Sequence, residues 1–389
     1  MFLDRRRIAV IFCGLCSFLD LWATQSLLPM LADELHASPV AVSFTVSMPP
    51  LAIALVAPWT GVIADVFGRK RVIVTAMFAL IVPTVMVGFS TTLGAIIVWR
   101  FVQGLFVPSI FATTVAYIAD ECPPGEATGV TGLYTAAGVF GGFLSRFLTA
   151  SVAAHWGWRA AFLTLTALTI LFAIGVLVTM PRERGFTRSA SLRGSAGEML
   201  QHFRDSRLVA TYCVGFCVLF ILVTIFTFVA FHLAAPPYEL STTALGSIFI
   251  TYLAGVVTAP LVGRGVAWLG RKRMVLTALA IWAVGLGLTL LPGVVPIIGG
   301  LMLSAAFGFS CQAASTSYVA LTAQRARSSA VGLYVTFYYL GGAIGGVVAG
   351  VAWTVAGWPG CVACAFIVLG IVAVVVQRYW VEPQIEILQ

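Results

Sequence analysis

Residues 61–71 read Gly61-Val-Ile-Ala-Asp65-Val-Phe-Gly68-Arg69-Lys70-Arg71, with apolar runs closing in on both sides. Three adjacent cations in so short a turn need water, and the runs around them avoid it. The turn must therefore stand where two apolar elements meet at an aqueous boundary. The stretch recurs at residues 263–273 as Gly263-Arg-Gly-Val-Ala267-Trp-Leu-Gly270-Arg271-Lys272-Arg273, with the glycine and the basic triplet kept and Asp65 replaced by Ala267. The chain is a doubled unit whose copies differ at one carboxylate.

The rest of the 389 residues repeats this alternation, with 60% of residues hydrophobic and only 9% charged. A soluble domain carries about 25% charged residues. Backbone groups in lipid must be satisfied internally, so such runs are helices or a closed barrel. Runs apolar on every face, without strict alternation, favour helices. With about 20 apolar residues needed per crossing, twelve spans are predicted: 8–31, 40–64, 72–88, 93–119, 127–154, 159–180, 208–234, 241–263, 274–291, 294–321, 329–356 and 359–380. The first is too long for a signal peptide. The one long polar segment reads as a linker, with a short interfacial helix expected at 198–204. The expected organisation is an N-terminal six-helix bundle over 1–180, a cytoplasmic linker over 181–207 and a C-terminal six-helix bundle over 208–389.

The doubling extends past the basic turns. Gly132-Leu-Tyr134, Gly141-Gly142 and Gly157-Trp158 recur as Gly332-Leu-Tyr334, Gly341-Gly342 and Gly357-Trp358, each 200 residues later. The net charge of +8 does not point to nucleic acid, because the cations lie in the turns between spans. Of 22 Lys and Arg residues, 19 fall on one side, Arg159 falls opposite, and Arg100 and Arg146 fall inside spans. By the positive-inside rule both termini and the linker are cytoplasmic. The eight cysteines include the pairs Cys13/Cys16, Cys213/Cys217 and Cys361/Cys364 inside apolar helices, which no His or acid joins into a ligand set, so they read as packing residues and no metal site is expected.

The first basic stretch, G-x-x-x-D-x-x-G-R-K-R after the second span, resembles the signature loop of the major facilitator superfamily. Arg100-Phe-Val-Gln103-Gly104 is similar to the family's span-four motif R-x-x-Q-G, which the family associates with proton coupling. Gly138-Val-Phe-Gly141-Gly142 in span five resembles the G-P-x-x-G-G motif of its exporters, without the proline and shorter by one. The resemblance covers almost the whole chain and is greatest to the twelve-span drug and sugar efflux proton antiporters. It implies an all-α membrane protein with two pseudo-symmetric six-helix bundles, working by alternating access around a site near the midplane. It also implies a gate built from Gly61, Asp65, Gly68, Arg69, Arg71 and Asp120, with Asp65 capping the start of span eleven near residues 328–332. A carboxylate is favoured at that positive end of a helix dipole.

Charged residues inside the membrane are costly and usually line a pathway. Asp20, Arg100 and Arg146 fall at similar depths at 1.5 Å per residue, so a mutually neutralising cluster is expected, and the three are candidates for proton coupling. A lock between spans one, four and five is the alternative reading. Trp22, Gln25, Gln103, Tyr134, Tyr252, Gln312, Tyr334 and Tyr338 are candidate cavity residues, each of which also suits packing. No phosphate-binding loop, metal-spaced cluster or nucleophile–base pair is apparent, so the chain reads as neither an ATP-driven pump nor an enzyme, with no cofactor. The expectation is a monomeric, multi-pass protein of a bacterial inner membrane that moves a small organic molecule by proton-coupled efflux. Its partners would be substrate, protons and lipid. A substrate-specific importer or facilitator of an organic anion or sugar is the other reading, since two buried arginines face one acid.

Overall fold

The computed structural model describes residues 4–183, 201–258, 261–323 and 327–380, and every regular element among them is helical. Spans two, three and four are Pro39–Phe67, Arg69–Phe89 and Leu93–Glu121. One helix, Pro124–Thr179, carries spans five and six on either side of Gly157, and another, Arg327–Tyr379, carries spans eleven and twelve around Gly357. Span seven is Ser206–Ala234, span nine Arg271–Leu288 and span ten Val294–Thr322. Helices begin where the sequence supplies an acceptor for an orphan N–H: Ser38, Thr92 and Ser241 each accept from the amide three residues on. Of the expected helix at 198–204, residues 198–200 lie outside the described residues, 201–202 are helical and 203–204 form a turn.

Two spans differ from their expected form. Span one is not one helix over 8–31 but Arg5–Leu19 and Leu28–Glu34, separated by tight turns across residues 20–27. Pro29 fixes where the second segment begins: it has no N–H for Gln25 O and stands in a first helical turn, where none is needed. Span eight is Thr242–Ile248, a 3₁₀ stretch Phe249–Tyr252 and the helices Leu253–Thr258 and Val262–Leu269. Non-helical backbone at membrane depth is tolerated only where protein satisfies it.

The internal doubling is structural as well as textual. Gly68 and Gly270 both adopt positive φ, +90° and +75°, where each basic turn reverses the chain. Arg69 and Arg271 each donate to a carbonyl of the fourth span of their own bundle, Ala116 O and Ala314 O. Lys70 and Lys272 donate to the ends of spans six and twelve, at Met180 O and Gln377 O. The basic triplets therefore tie off freed helix-end carbonyls within each bundle, in addition to marking an aqueous face. Gly141 of span five lies against the backbone of Leu15 in span one, and Gly341 of span eleven against the backbone of Phe216 in span seven. No side chain fits at either contact, which is why glycine stands at both.

Span seven is buried all round, with 94% of its apolar window inside the protein, so it runs through the centre. The bundles meet at the ends remote from the basic turns. There Ser43 Oγ donates to Gly346 O (3.4 Å), and a Cβ at Gly350 would touch Val40. Toward the basic face, Gly61, Gly129, Gly132 and Gly332 all have open space where a Cβ would go. At these positions spans two, five and eleven have no packing neighbour in the opposite bundle, and the molecule is open between the bundles there.

Candidate transport site

The break in span one places Asp20 at the end of its first helical segment, fully buried. Its Oδ1 accepts from Thr84 Oγ1 of span three and its Oδ2 from Thr169 Oγ1 of span six, both at 3.0 Å. Arg100, also fully buried, does not bond to that carboxylate. Its Nε donates to Thr45 O (3.0 Å), one Nη to Asp20 O (2.5 Å) and to Gln103 Oε1 (2.6 Å), and the other Nη to Leu21 O. These carbonyls lack a helical amide four residues on for identifiable reasons, and only long bonds otherwise reach two of them, from Ala23 N to Asp20 O (3.5 Å) and from Thr24 Oγ1 to Thr45 O (3.4 Å). Those of Asp20 and Leu21 lie in the break, and Pro49 withholds the N–H that Thr45 O would accept in a regular helix. Gln103 Nε2 completes the circuit by donating to Thr84 Oγ1 (2.9 Å). Gly104 lets span four approach the backbone of Pro49, where a Cβ would collide. Each residue of the R-x-x-Q-G stretch therefore serves the same junction.

Arg146 does not join this cluster, against the expectation from depth. Its Nε donates to Gln25 Oε1 (2.8 Å) and one Nη to Gly142 O (2.7 Å), while the other Nη is buried with no hydrogen-bond partner. The rings of Trp22, Phe249 and Tyr252 surround its guanidinium carbon at 5.3, 4.8 and 4.6 Å. Gln25 continues to Thr227 Oγ1 of span seven (3.0 Å). The two broken spans, one and eight, thus converge on this cation from opposite halves. Similar depth did not mean contact, because the side of span five that carries Arg146 faces span eight.

At the basic face, Arg69 bridges Asp120 (2.6 Å) and Asp65 (3.8 Å). Gly68 stands where a Cβ would come within 3.1 Å of the Glu183 carboxylate, whose Oε1 accepts from Lys70 N (2.6 Å). Glu183 thus caps the start of span three, an interaction the sequence reading missed. Arg71 lines a groove of about 280 Å³ with Phe67, Thr75 and Phe106, away from Asp65. Among the described residues the partner of Asp65 is Arg69; the expected contact with span eleven concerns residues 328–332, and the side chain at 328 is not described.

The candidate cavity residues divide into groups rather than forming one set. Trp22, Gln25 and Tyr252 surround Arg146, and Gln103 belongs to the Asp20 junction. Tyr334 packs on Gly215 of span seven and reaches Gln312 O (3.5 Å), and Tyr338 stacks beside it (6.1 Å). Tyr134 presents its carbonyl to Gly14 of span one, and its hydroxyl is buried without a partner. Thr84, Thr169, Thr227 and Phe249 escaped the sequence reading. A hydroxyl in an apolar helix ordinarily bonds its own carbonyl one turn back, as Thr84 and Thr169 also can, to Leu80 O (2.8 Å) and Leu165 O (2.9 Å). Nothing local distinguishes them.

Twelve spans in two related bundles, open on one face and enclosing buried charge, define a membrane carrier of small solutes. The family model described as Major Facilitator Superfamily matches residues 10–268 and 234–387, and the chain belongs to that family. It is similar to the inner membrane transport protein YnfM of Escherichia coli (strain K12), 28% identical over 96% of this chain and 90% of that one. It is also similar to the MFS-type transporter YybF of Bacillus subtilis (strain 168), 26% identical over 92% of this chain and 89% of that one. The solved structure of a D-xylose-proton symporter superposes with a TM-score of 0.80 at 17% identity, over 97% of each chain. Members of this family are transporters, and the chain is not an enzyme.

Proposed function

We propose that this transporter couples substrate movement to protons through Asp20, and that it works as an antiporter exporting a small organic molecule. One observation carries the coupling: the Asp20 site can hold or release a proton without leaving a buried polar atom unpaired. When Asp20 is charged, Thr84 and Thr169 donate to its two oxygens. When it is protonated, the carboxyl donates to one threonine oxygen, and that hydroxyl turns its own proton to its carbonyl one turn back. No heavy atom moves. Buried polar groups are expensive when a partner is lost, so a carboxyl satisfied in both states suits reversible proton binding.

The bundles, joined by the linker over 181–207, rock about the midplane, and the state described is the one open to the cytoplasm. That orientation rests on the cation bias. A cysteine at Ala267 should resist impermeant thiol reagents in intact cells, and one at Thr92 should react. In the opposite state Asp65, Arg69 and Asp120 lie where the bundles close. The proton-symporter likeness shows the fold's range; export rests on the span-five resemblance and on the acid's fitness for exchange. The test is substrate flux in proteoliposomes under an imposed pH gradient. Asp20→Asn should abolish gradient-driven accumulation and keep exchange, and undiminished accumulation by that variant would end the coupling role. Import or facilitated passage of an organic anion is favoured by a separate observation, the unpaired Arg146 cation.

A further inference from the structure

Arg146 is the side chain whose chemistry the coupling site does not use. A guanidinium has five N–H groups. Two are engaged here, by Gln25 and Gly142, and the remaining three project from one Nη and the free edge of the other. That edge is the one that grips a carboxylate with two parallel bonds. Asp20 is the only acid among the buried residues described, and its oxygens are taken by Thr84 and Thr169. The charge at Arg146 is consequently buried, fully shielded and without a counter-ion.

The rings of Trp22, Phe249 and Tyr252 explain how such a charge is tolerated but not why it is present. Aromatic faces attract a cation, yet they accept no strong hydrogen bond from the buried Nη. An apolar side chain would lock spans five and eight together at lower cost, because removing a charge from water is repaid only by a well-placed partner. The same rings offer flat apolar surfaces beside the free N–H edge. They come from both halves, Trp22 from the break in span one and Phe249 and Tyr252 from the 3₁₀ stretch of span eight. A ligand seated there would touch both bundles, as a carried substrate must.

We propose that Arg146 and its three rings form the recognition site for the carboxylate of an organic anion with a flat apolar body, such as an aryl carboxylate. The proposal names the substrate class for the transport reading above and rests on it. Its test needs no proton gradient, so the two can fail separately. Purified full-length protein in detergent is melted with sodium benzoate, with the neutral isostere benzamide, and with sodium acetate at the same ionic strength. Benzoate should raise the melting temperature saturably, as a ligand of the folded state does. Benzamide should not, and acetate should act only at higher concentration.

Arg146→Gln should weaken the benzoate effect at least about tenfold, the scale of one charge-assisted hydrogen bond, whereas Asp20→Asn should retain it. If benzamide matches benzoate in the unaltered protein, the anion site is wrong whether or not any variant folds. If acetate matches benzoate, the aryl part is wrong. Arg146→Lys, which keeps the charge and loses the fork, should bind more weakly than the unaltered protein and more tightly than Arg146→Gln; equal binding by all three would also overturn the assignment. Undiminished pH-gradient-driven flux by Asp20→Asn, with benzoate binding intact, would count against coupling at Asp20 and leave this site standing.

Discussion

Arg100→Ala tests whether that arginine holds backbone or balances charge. The substitution removes the short donors to the carbonyls of Asp20, Leu21 and Thr45, as well as the bond to Gln103 Oε1; Leu21 O is left bare, while Asp20 O keeps only Ala23 N (3.5 Å) and Thr45 O only Thr24 Oγ1 (3.4 Å). Each buried carbonyl left without a donor costs about 1–3 kcal/mol, so roughly 9 kcal/mol is the ceiling for three, approached only if the two weak remaining bonds count for little. Water can enter the space vacated by the guanidinium and serve some of those oxygens. The expected loss is therefore about 3–5 kcal/mol, the range found when one partner of a buried charged network is removed. Arg100→Lys should recover part of it, because an ammonium has three donors but no fork.

The deciding measurement is a double-mutant cycle with Asp20→Asn, using unfolding in mixed detergent micelles followed by tryptophan fluorescence. If Arg100 chiefly neutralised the Asp20 carboxylate, removing both charges would restore much of the lost stability. The hydrogen bonds predict otherwise: the three carbonyls lose their Arg100 donors whether residue 20 is Asp or Asn. The coupling energy should stay under about 1 kcal/mol. Recovery of half the loss or more in the double variant would refute the backbone-holding account and return Arg100 to the role of counter-ion.

Other outcomes follow from particular contacts. Gly141→Ala places a Cβ 2.6 Å from Leu15 O and should cost about 1–3 kcal/mol by overpacking, whereas Gly129→Ala, with nothing within 4 Å, should leave the melting temperature of this state unchanged. Gly132→Leu should leave stability intact but hold the basic side open, read as lost transport with persistent cysteine accessibility on that face; full transport would mean the bundles do not close there. Asp65→Asn should cost no more than about 1 kcal/mol here, since its pair with Arg69 is half exposed. It should nonetheless shift bundle distances toward the basic-side-open state, and unchanged distances by spin labelling would remove Asp65 from the gate. Thr84→Val and Thr169→Val should each retain gradient-driven flux, because either hydroxyl can exchange a proton with Asp20, and the double variant should lose it.

Crossing number, the doubled unit and the basic turns were legible in the residues alone because each is a local requirement. A segment in lipid must bond its own backbone, so twenty apolar residues declare a crossing without reference to any neighbour. The offset of 200 residues survived into geometry for the same reason: Gly157 and Gly357 both turn the chain with positive φ, at +80° and +59°. Depth was also countable, at 1.5 Å per residue. Azimuth was not. Asp20, Arg100 and Arg146 share a depth, and only the packing of spans decided that Arg100 turns to the carbonyls of span one while Arg146 faces span eight. The same limit hid Thr84 and Thr169, whose hydroxyls look self-satisfied in sequence and meet a carboxylate only when spans one, three and six come together. Hydropathy tells a helix that it must cross; which side chains it then meets depends on its rotation and its neighbours, and those are properties of the assembled bundle.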